Sequence, residues 1–494
     1  MLKFPKIILA MTMVGLAGCS GSSDPAATLD VPAPLVEGPV LPTSGIVLQG
    51  TSFPPEEVGY TEAEYFVSGN ARAFRNIDDL GSDGLWNVEE ASEAAYKTRI
   101  VVRRPIDPAD FNGVVFLEWL NVSAGFDSSP DWIYGHVELI RRGYAYVGIS
   151  AQLIGIEGTG GSGPIPGLDF SLKNADPERY GTLSHPGDSY SYDIFSQVGR
   201  AISEREGVDP LDGLVAEKLI AAGESQSAFR MVTYVNSMAK AARIFDGYLV
   251  HSRGGGSAAL SQEPEPVIPT PEVVRIRTDI DFPVLTFQAE TDLTVLESFP
   301  DRQEDSARFR WWEVAGTAHA DIYTLLTGAG DTGDDPSVAD VVFVAEPIPG
   351  IIECDNPINS GPHHFVLKKA IDALTLWVTD GTPPSSSPLL ELAGDPPEFV
   401  RDEFGNTRGG IRTPYVDVPV AQLLGEPPGG SSFCFLFGKS IPLPDATLDS
   451  LYPDHETYVS KVAASAEATV AAGFLLQEDA ELIIASAENS DIGR

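Results

Sequence analysis

The hydrophobic pattern changes character along the chain. From residue 46 to about 112 apolar and polar positions are mixed, and an alternating stretch at 96–103 predicts a strand. Short unbroken apolar runs follow: Val114-Val115-Phe116-Leu117, Tyr144-Ala145-Tyr146-Val147-Gly148-Ile149, Leu219-Ile220-Ala221-Ala222, Gly247-Tyr248-Leu249-Val250 and Val284-Leu285-Thr286-Phe287. A strand with one wet face alternates, so runs apolar at nearly every position predict strands buried on both faces. Helix-forming stretches at 132–142, 191–205 and 227–242 lie between several of them. That alternation predicts the α/β class, with a mostly parallel central sheet and helices on both faces.

Two segments break the beat. Residues 155–187 are rich in Gly and Pro, and 254–271 contain Glu263-Pro264-Glu265-Pro266 with Pro269 and Pro271 behind. Long irregular stretches in a compact domain read as lid-like insertions or mobile surface. After a helix at 365–378, the run Thr382-Pro383-Pro384-Ser385-Ser386-Ser387-Pro388 introduces a C-terminal part ending in a helix-prone stretch at 456–487. The organisation expected is a signal segment (1–18), a flexible tether (19–45), a core with insertions (46–380) and an extension packed on it (381–494).

Composition narrows the class. With 43% hydrophobic residues over 494 positions the chain can bury a large core, and 48 Gly with 39 Pro suit a loop-rich globular enzyme. Thirty-two basic against 71 acidic residues give a net charge of -39, which repels phosphate backbones and argues against a nucleic-acid partner.

The beginning of the chain carries an address. Basic Lys3 and Lys6 precede an apolar stretch at 7–16, too short for the roughly 20 residues that cross a bilayer. Leu16-Ala17-Gly18-Cys19 resembles a bacterial lipobox, which implies cleavage before Cys19 and a lipid on its thiol. An exported lipoprotein is expected, touching the membrane through that anchor only. Ser20 beside the cysteine resembles the outer-membrane sorting pattern, so the expected location is the outer membrane, on its periplasmic side or at the cell surface. Cys354 and Cys434 are the remaining thiols. In an exported protein this pair can form a disulfide, and a metal site is the weaker alternative, with neither CxxC nor a histidine at ligand spacing.

The candidate chemistry sits after the third apolar run. Leu219-Ile220-Ala221-Ala222 leads directly into Gly223-Glu224-Ser225-Gln226-Ser227, and helix-forming Ala228-Phe229-Arg230-Met231 follows. A nucleophile elbow has this layout, with a serine on a tight strand-to-helix turn and small residues two positions away. The usual pattern is G-x-S-x-G; here Ser227 stands at the second small position. The backbone N–H of Gln226, at the helix start, would then face an oxyanion. In the α/β-hydrolase fold a serine is followed by its acid and then its histidine. Glu290 and Asp292 follow the Val284 run, and His319 lies in Ala315-Gly316-Thr317-Ala318-His319-Ala320-Asp321 after Trp311-Trp312-Glu313-Val314. His319 is the expected base. Asp292 is preferred as the acid by its distance from the strand, and Glu290 is the alternative.

Further motifs are more specific together than the elbow alone. Glu118-Trp119-Leu120-Asn121-Val122-Ser123, Tyr146-Val147-Gly148-Ile149-Ser150-Ala151-Gln152 and Pro177-Glu178-Arg179-Tyr180-Gly181 are three of them. Ser184-His185-Pro186-Gly187-Asp188-Ser189-Tyr190-Ser191-Tyr192-Asp193, the GESQSA segment at 223–228 and Gly409-Gly410-Ile411-Arg412-Thr413-Pro414 complete the set. With these segments the chain, from about residue 46 to its end, resembles a bacterial secreted family of alpha/beta hydrolase domain-containing proteins. The resemblance implies the α/β-hydrolase fold and a serine hydrolase, but little about substrate. It also implies a second oxyanion N–H after the Val114 run, near Leu120 or Asn121, although Asn121 can equally be a turn former.

The activity expected is cleavage of a carboxylic ester, small or polymeric, through an acyl-enzyme at Ser225, which requires no metal or organic cofactor. A lactonase or amidase with the same residues is the enzymatic alternative. A surface-binding lipoprotein without activity is the alternative from another class.

Overall fold

The computed structural model describes residues 28–41, 45–160, 169–204 and 207–494. Among these, nine strands form the main sheet: β1 (Leu35–Glu37), β2 (Tyr60–Asn76), β3 (Val88–Pro105), β4 (Val114–Trp119), β5 (Ala145–Ile149), β6 (Lys218–Glu224), β7 (Gly247–His251), β8 (Val284–Gln288) and β9 (Phe309–Glu313). Their order in space is β1-β2-β3-β5-β4-β6-β7-β8-β9. The stretch from β5 to β9 is parallel throughout, and β1, β2 and β3 join it antiparallel.

Seven helices cover the sheet, carry the site or brace the C-terminal extension: α1 (Pro130–Arg141), α2 (Ser191–Glu204), α3 (Gln226–Tyr234), α4 (Glu290–Thr294), α5 (His363–Asp380), α6 (His455–Ala472) and α7 (Gln477–Asn489). Successive side chains of a strand point to opposite faces. Val115, Leu117, Val147, Ala221 and Val250 meet Phe195 of α2 and Met231 of α3 on one face. Phe116, Tyr146, Ile220, Ala222, Leu249 and Leu285 meet Ile133 of α1 and Leu374 of α5 on the other. Both faces are dry, which is why these strands read as continuous apolar runs; each aliphatic side chain buried this way contributes about 1.5–3 kcal/mol before entropy is counted.

Three expectations need correction. The mixed region before residue 112 is a long hairpin, β2 and β3, rather than one short strand. Its polar positions mark the partly exposed end of the sheet, where an apolar run is not required. The expected tether is structured in part: Leu35–Glu37 pairs with β2, and Val31 and Val36 are buried. Covering the sheet edge satisfies backbone groups that would otherwise be open. The helix-prone stretch at 456–487 is two helices, because Gly473 ends α6 in the left-handed conformation at φ 85°.

The insertions meet each other. Gly187 lies so close to Pro264 that a Cβ there would stand 2.7 Å from the proline Cδ. Arg230 of α3 reaches Asp188 Oδ2 at 3.1 Å and Gln262 Oε1 at 3.0 Å, so both segments are tied to this helix. At the other end of the chain, Asp479 of α7 forms an ion pair with Lys368 of α5 and accepts from Arg141 of α1, each at 3.0 Å. Phe365 of α5 shares a cluster with Tyr415, Leu423, Val462 and Ile483, so the extension is packed on the core helix. Cys354 and Cys434 are joined by a disulfide across 80 residues.

Candidate active site

Strand β6 ends at Glu224, and the turn into α3 places Ser225 at φ 56° and ψ -119°. A non-glycine residue at such a φ costs on the order of 1–3 kcal/mol and persists only where its surroundings hold it. Here the Ser225 N–H donates to His251 O at 2.9 Å, and Ser225 O accepts from Phe229 N at 3.2 Å. The turn is tight enough that a Cβ on Gly223 would lie 2.8 Å from the Ser227 carbonyl oxygen. That approach explains glycine at 223 and a small residue at 227.

Ser225 Oγ stands 2.7 Å from His319 Nε2, and His319 Nδ1 is 2.6 Å from Asp292 Oδ1. The carboxylate fixes the imidazole with its proton on Nδ1, leaving the Nε2 lone pair toward the hydroxyl. Asp292 is itself held by the Ala289 N–H, which donates to Oδ2 at 2.6 Å. Burial works against charge on His319, but the nearby carboxylates of Glu224 and Asp292 outweigh it and hold the imidazole above its ordinary range. An imidazole so placed can take a proton from Ser225 and stay supported while charged.

Glu290 faces elsewhere. It accepts from Gly316 N at 2.8 Å and Gly425 N at 3.0 Å, and pairs with Arg401 at 3.2 Å. The alternative acid therefore buttresses the loops of both Asp292 and His319 against the C-terminal extension.

The loop after β4 departs from expectation. The N–H of Leu120 donates to Ile149 O at 3.2 Å and that of Asn121 to Ser128 O at 3.0 Å, so neither backbone donor is open to an oxyanion. Leu120 extends the pairing with β5, and Asn121 pairs with Ser128 in an isolated bridge across its own loop. Val122 N–H, one position on, donates to no acceptor among the described residues. Gln226, first residue of α3, also has no intrahelical acceptor for its N–H. Asn121 does act as a turn former, accepting from Ser123 N at 2.7 Å, and its Nδ2 also donates to Glu224 O and Oε2, each at 3.1 Å.

Glu224 was not singled out from the sequence, yet its Oε1 lies 3.3 Å from His319 Nε2. Burial pushes its carboxyl up to about 8; His319 opposes the rise, Asp131 and Asp292 add to it, and the Asn121 bond opposes it. The signal was an acidic residue closing a strand otherwise buried and apolar.

Behind His319 runs a buried chain. Asp131 Oδ1 is 2.7 Å from His251 Nδ1, His251 Nε2 is 2.7 Å from His363 Nε2, and His363 Nδ1 is 2.8 Å from Ala318 O. The carbonyl can only accept, so Nδ1 of His363 carries its proton. Desolvation pushes both histidines down to about 3 and leaves them neutral. His363 Nε2 is then an acceptor, His251 Nε2 the donor and His251 Nδ1 an acceptor, which requires a proton on Asp131. Burial pushes that carboxyl up to about 8, in keeping with this order.

Cys19, the candidate lipid site, lies outside the described residues. The structure brings Ser225, His319 and Asp292 together and leaves the bonded cysteines apart from them.

No curated protein matches the chain. Solved structures similar to it include an esterase of the fungus Rhizomucor miehei, at 11% identity and TM-score 0.27, covering 52% of this chain and 78% of that one. An α/β serine hydrolase without a lid from Xanthomonas campestris is similar at 13% identity and TM-score 0.26, over 49% and 83% of the two chains. Acetyl xylan esterase 1 from a Thermoanaerobacterium species is similar at 8% identity and TM-score 0.25, over 49% and 80%. A family model described as the alpha/beta hydrolase domain matches residues 32–485, nearly the whole length over which the sheet, the site and the C-terminal helices are built, and the chain belongs to that family.

Proposed function

We propose that the protein hydrolyses carboxylic esters through an acyl-enzyme on Ser225, with His319 as general base and acid and Asp292 as the orienting carboxylate. The observation that carries this reading is the line from Ser225 Oγ to His319 Nε2 to Asp292, with contacts of 2.7 and 2.6 Å. Ser225 Oγ attacks the carbonyl carbon while Nε2 takes its proton, and the resulting imidazolium hands that proton to the leaving alcohol. Water then repeats the sequence on the acyl-enzyme, releasing the acid and restoring the hydroxyl. The N–H groups of Gln226 and Val122 are the donors for the oxyanion. A lactone or an anilide would meet the same groups.

Uptake of a fluorophosphonate probe, followed by turnover of p-nitrophenyl esters, lactones and anilides side by side, tests the reading. Labelling with ester turnover well above the other two is expected. Absence of labelling overturns the nucleophile, and faster lactone or anilide cleavage overturns the substrate class. We further propose that the chain is an exported lipoprotein held to a membrane by acyl groups on Cys19, a reading supported by the lipobox-like residues 16–19.

A further inference from the structure

We propose that Glu224 is a second catalytic carboxylate, which holds the charge on His319 while the imidazole carries the proton from Ser225. The inference rests on the triad proposed above. Nε2 is the atom that receives the proton, and two groups lie against it: Ser225 Oγ at 2.7 Å and Glu224 Oε1 at 3.3 Å. Asp292 supports the far nitrogen, Nδ1. The imidazolium would thus be flanked by a carboxylate on each ring nitrogen.

Placement argues against a chance contact. Glu224 ends β6 and is fixed by parallel pairing with His251. Its second oxygen and its own carbonyl are both held by Asn121 Nδ2 at 3.1 Å, so Oε1 is left facing the histidine. The residue is 5% exposed, and little water screens the pair.

The contact also changes sign along the reaction. Above about pH 8, where burial no longer keeps the proton on Glu224, its carboxylate faces the Nε2 lone pair of neutral His319 and is mildly repelled. Once Nε2 is protonated, the same carboxylate faces an N–H carrying positive charge. An interaction stronger in the transition state than in the ground state accelerates the step.

The neighbouring titratable groups do not duplicate this role. Tyr134 and Asp131 approach Glu224 from α1, but Asp131 Oδ1 is engaged by His251 Nδ1 at 2.7 Å and neither group bears on His319. His251 of β7 and His363 at the start of α5, pushed down to about 3 by desolvation, are neutral. Asp292 of α4 is the remaining carboxylate on His319. Removing the Glu224 charge therefore lowers the affinity of His319 for its proton. The neutral, reactive imidazole then persists to lower pH.

The test is the rate of fluorophosphonate inactivation between pH 5 and 9.5, measured on the full chain for wild type, Glu224→Gln and Glu224→Asp, with thermal melting to verify folding. In the Gln variant the plateau rate falls on the order of tenfold and the acid limb moves to lower pH. The Asp variant keeps a charge, so its limb stays near that of wild type. An unmoved limb in the Gln variant overturns the proposal, whatever the rate loss, because a structural tie to Asn121 alone leaves the histidine's titration unchanged. A limb displaced equally in both variants overturns it too. Wild-type chain that takes up no probe removes the triad reading and this one with it. Should the Gln variant not fold, Glu224→Ala is measured in its place: a limb moved to lower pH supports the role, and an unmoved limb overturns it.

Discussion

His319 Nδ1 lies 2.6 Å from Asp292 Oδ1, whereas Glu290, two residues earlier in the chain, turns its carboxylate toward Gly316, Gly425 and Arg401. Exchanging Asp292 for Asn removes the charge that supports the imidazolium and lets the ring take the wrong tautomer. A loss of roughly 10⁴ in kcat is expected, as for the equivalent change in a serine protease. Glu290→Gln should cost about tenfold or less in rate through loop distortion, but should lower the melting temperature, since it weakens three bonds that join loops. Esterase kinetics and melting of the two variants measure both effects; a larger rate loss for Glu290→Gln would exchange the roles.

Ser225→Ala should abolish probe uptake and reduce turnover by on the order of 10⁶, while leaving the fold intact. The backbone bonds from Ser225 to His251 and Phe229 do not involve the side chain, so the elbow persists. Circular dichroism and probe labelling of the purified variant check this.

The buried Asp131 carboxyl gives stability a pH dependence of known sign. Its pKa is raised in the folded protein from 3.8 to about 8, so folding favours the protonated form. That contribution is complete below the ordinary value and is lost progressively as pH rises toward about 8. Asp131→Asn keeps a donor for His251 Nδ1 without an ionisation to suppress. The stability of this variant relative to wild type should therefore increase from pH 5 to pH 9, as read from denaturant midpoints. A constant difference across that range would contradict a proton on Asp131.

Breaking the Cys354–Cys434 bridge, with both residues changed to serine, frees a loop of 80 residues. The chain-entropy model places the loss at about 4.5 kcal/mol, which a guanidinium titration would resolve. Equal stability of the oxidised protein and the double variant would mean that the surrounding cluster of Ile322, Ile352, Ile358 and Phe437 holds the segment unaided.

Cys19→Ala should move the protein from the membrane fraction to the soluble fraction, because acyl chains and not a spanning helix would form the anchor. Retention of the variant in membranes would exclude the lipobox reading.

The parallel half of the sheet was legible because its strands are buried on both faces and so carry unbroken apolar runs, such as Val114 to Leu117 within β4. The hairpin of β2 and β3 was not, since partly exposed strands mix polar and apolar residues without a strong period. Ser225 could be found from GESQSA, because the turn constrains Gly223 and Ser227 locally. His319 could be found from chain order and a small-residue loop.

By itself, the sequence determined the fold class and marked Ser225 and His319 as candidates, for these depend on local pattern and on order along the chain. The choice between Asp292 and Glu290, the closure of the Leu120 and Asn121 N–H groups, and the approach of Glu224 and the Asp131–His251–His363 chain belonged to the tertiary structure. Each turns on which way a side chain or N–H faces after strands far apart in sequence are set side by side. Spacing along one segment carries no information about that direction, because the partner that fixes it comes from another element.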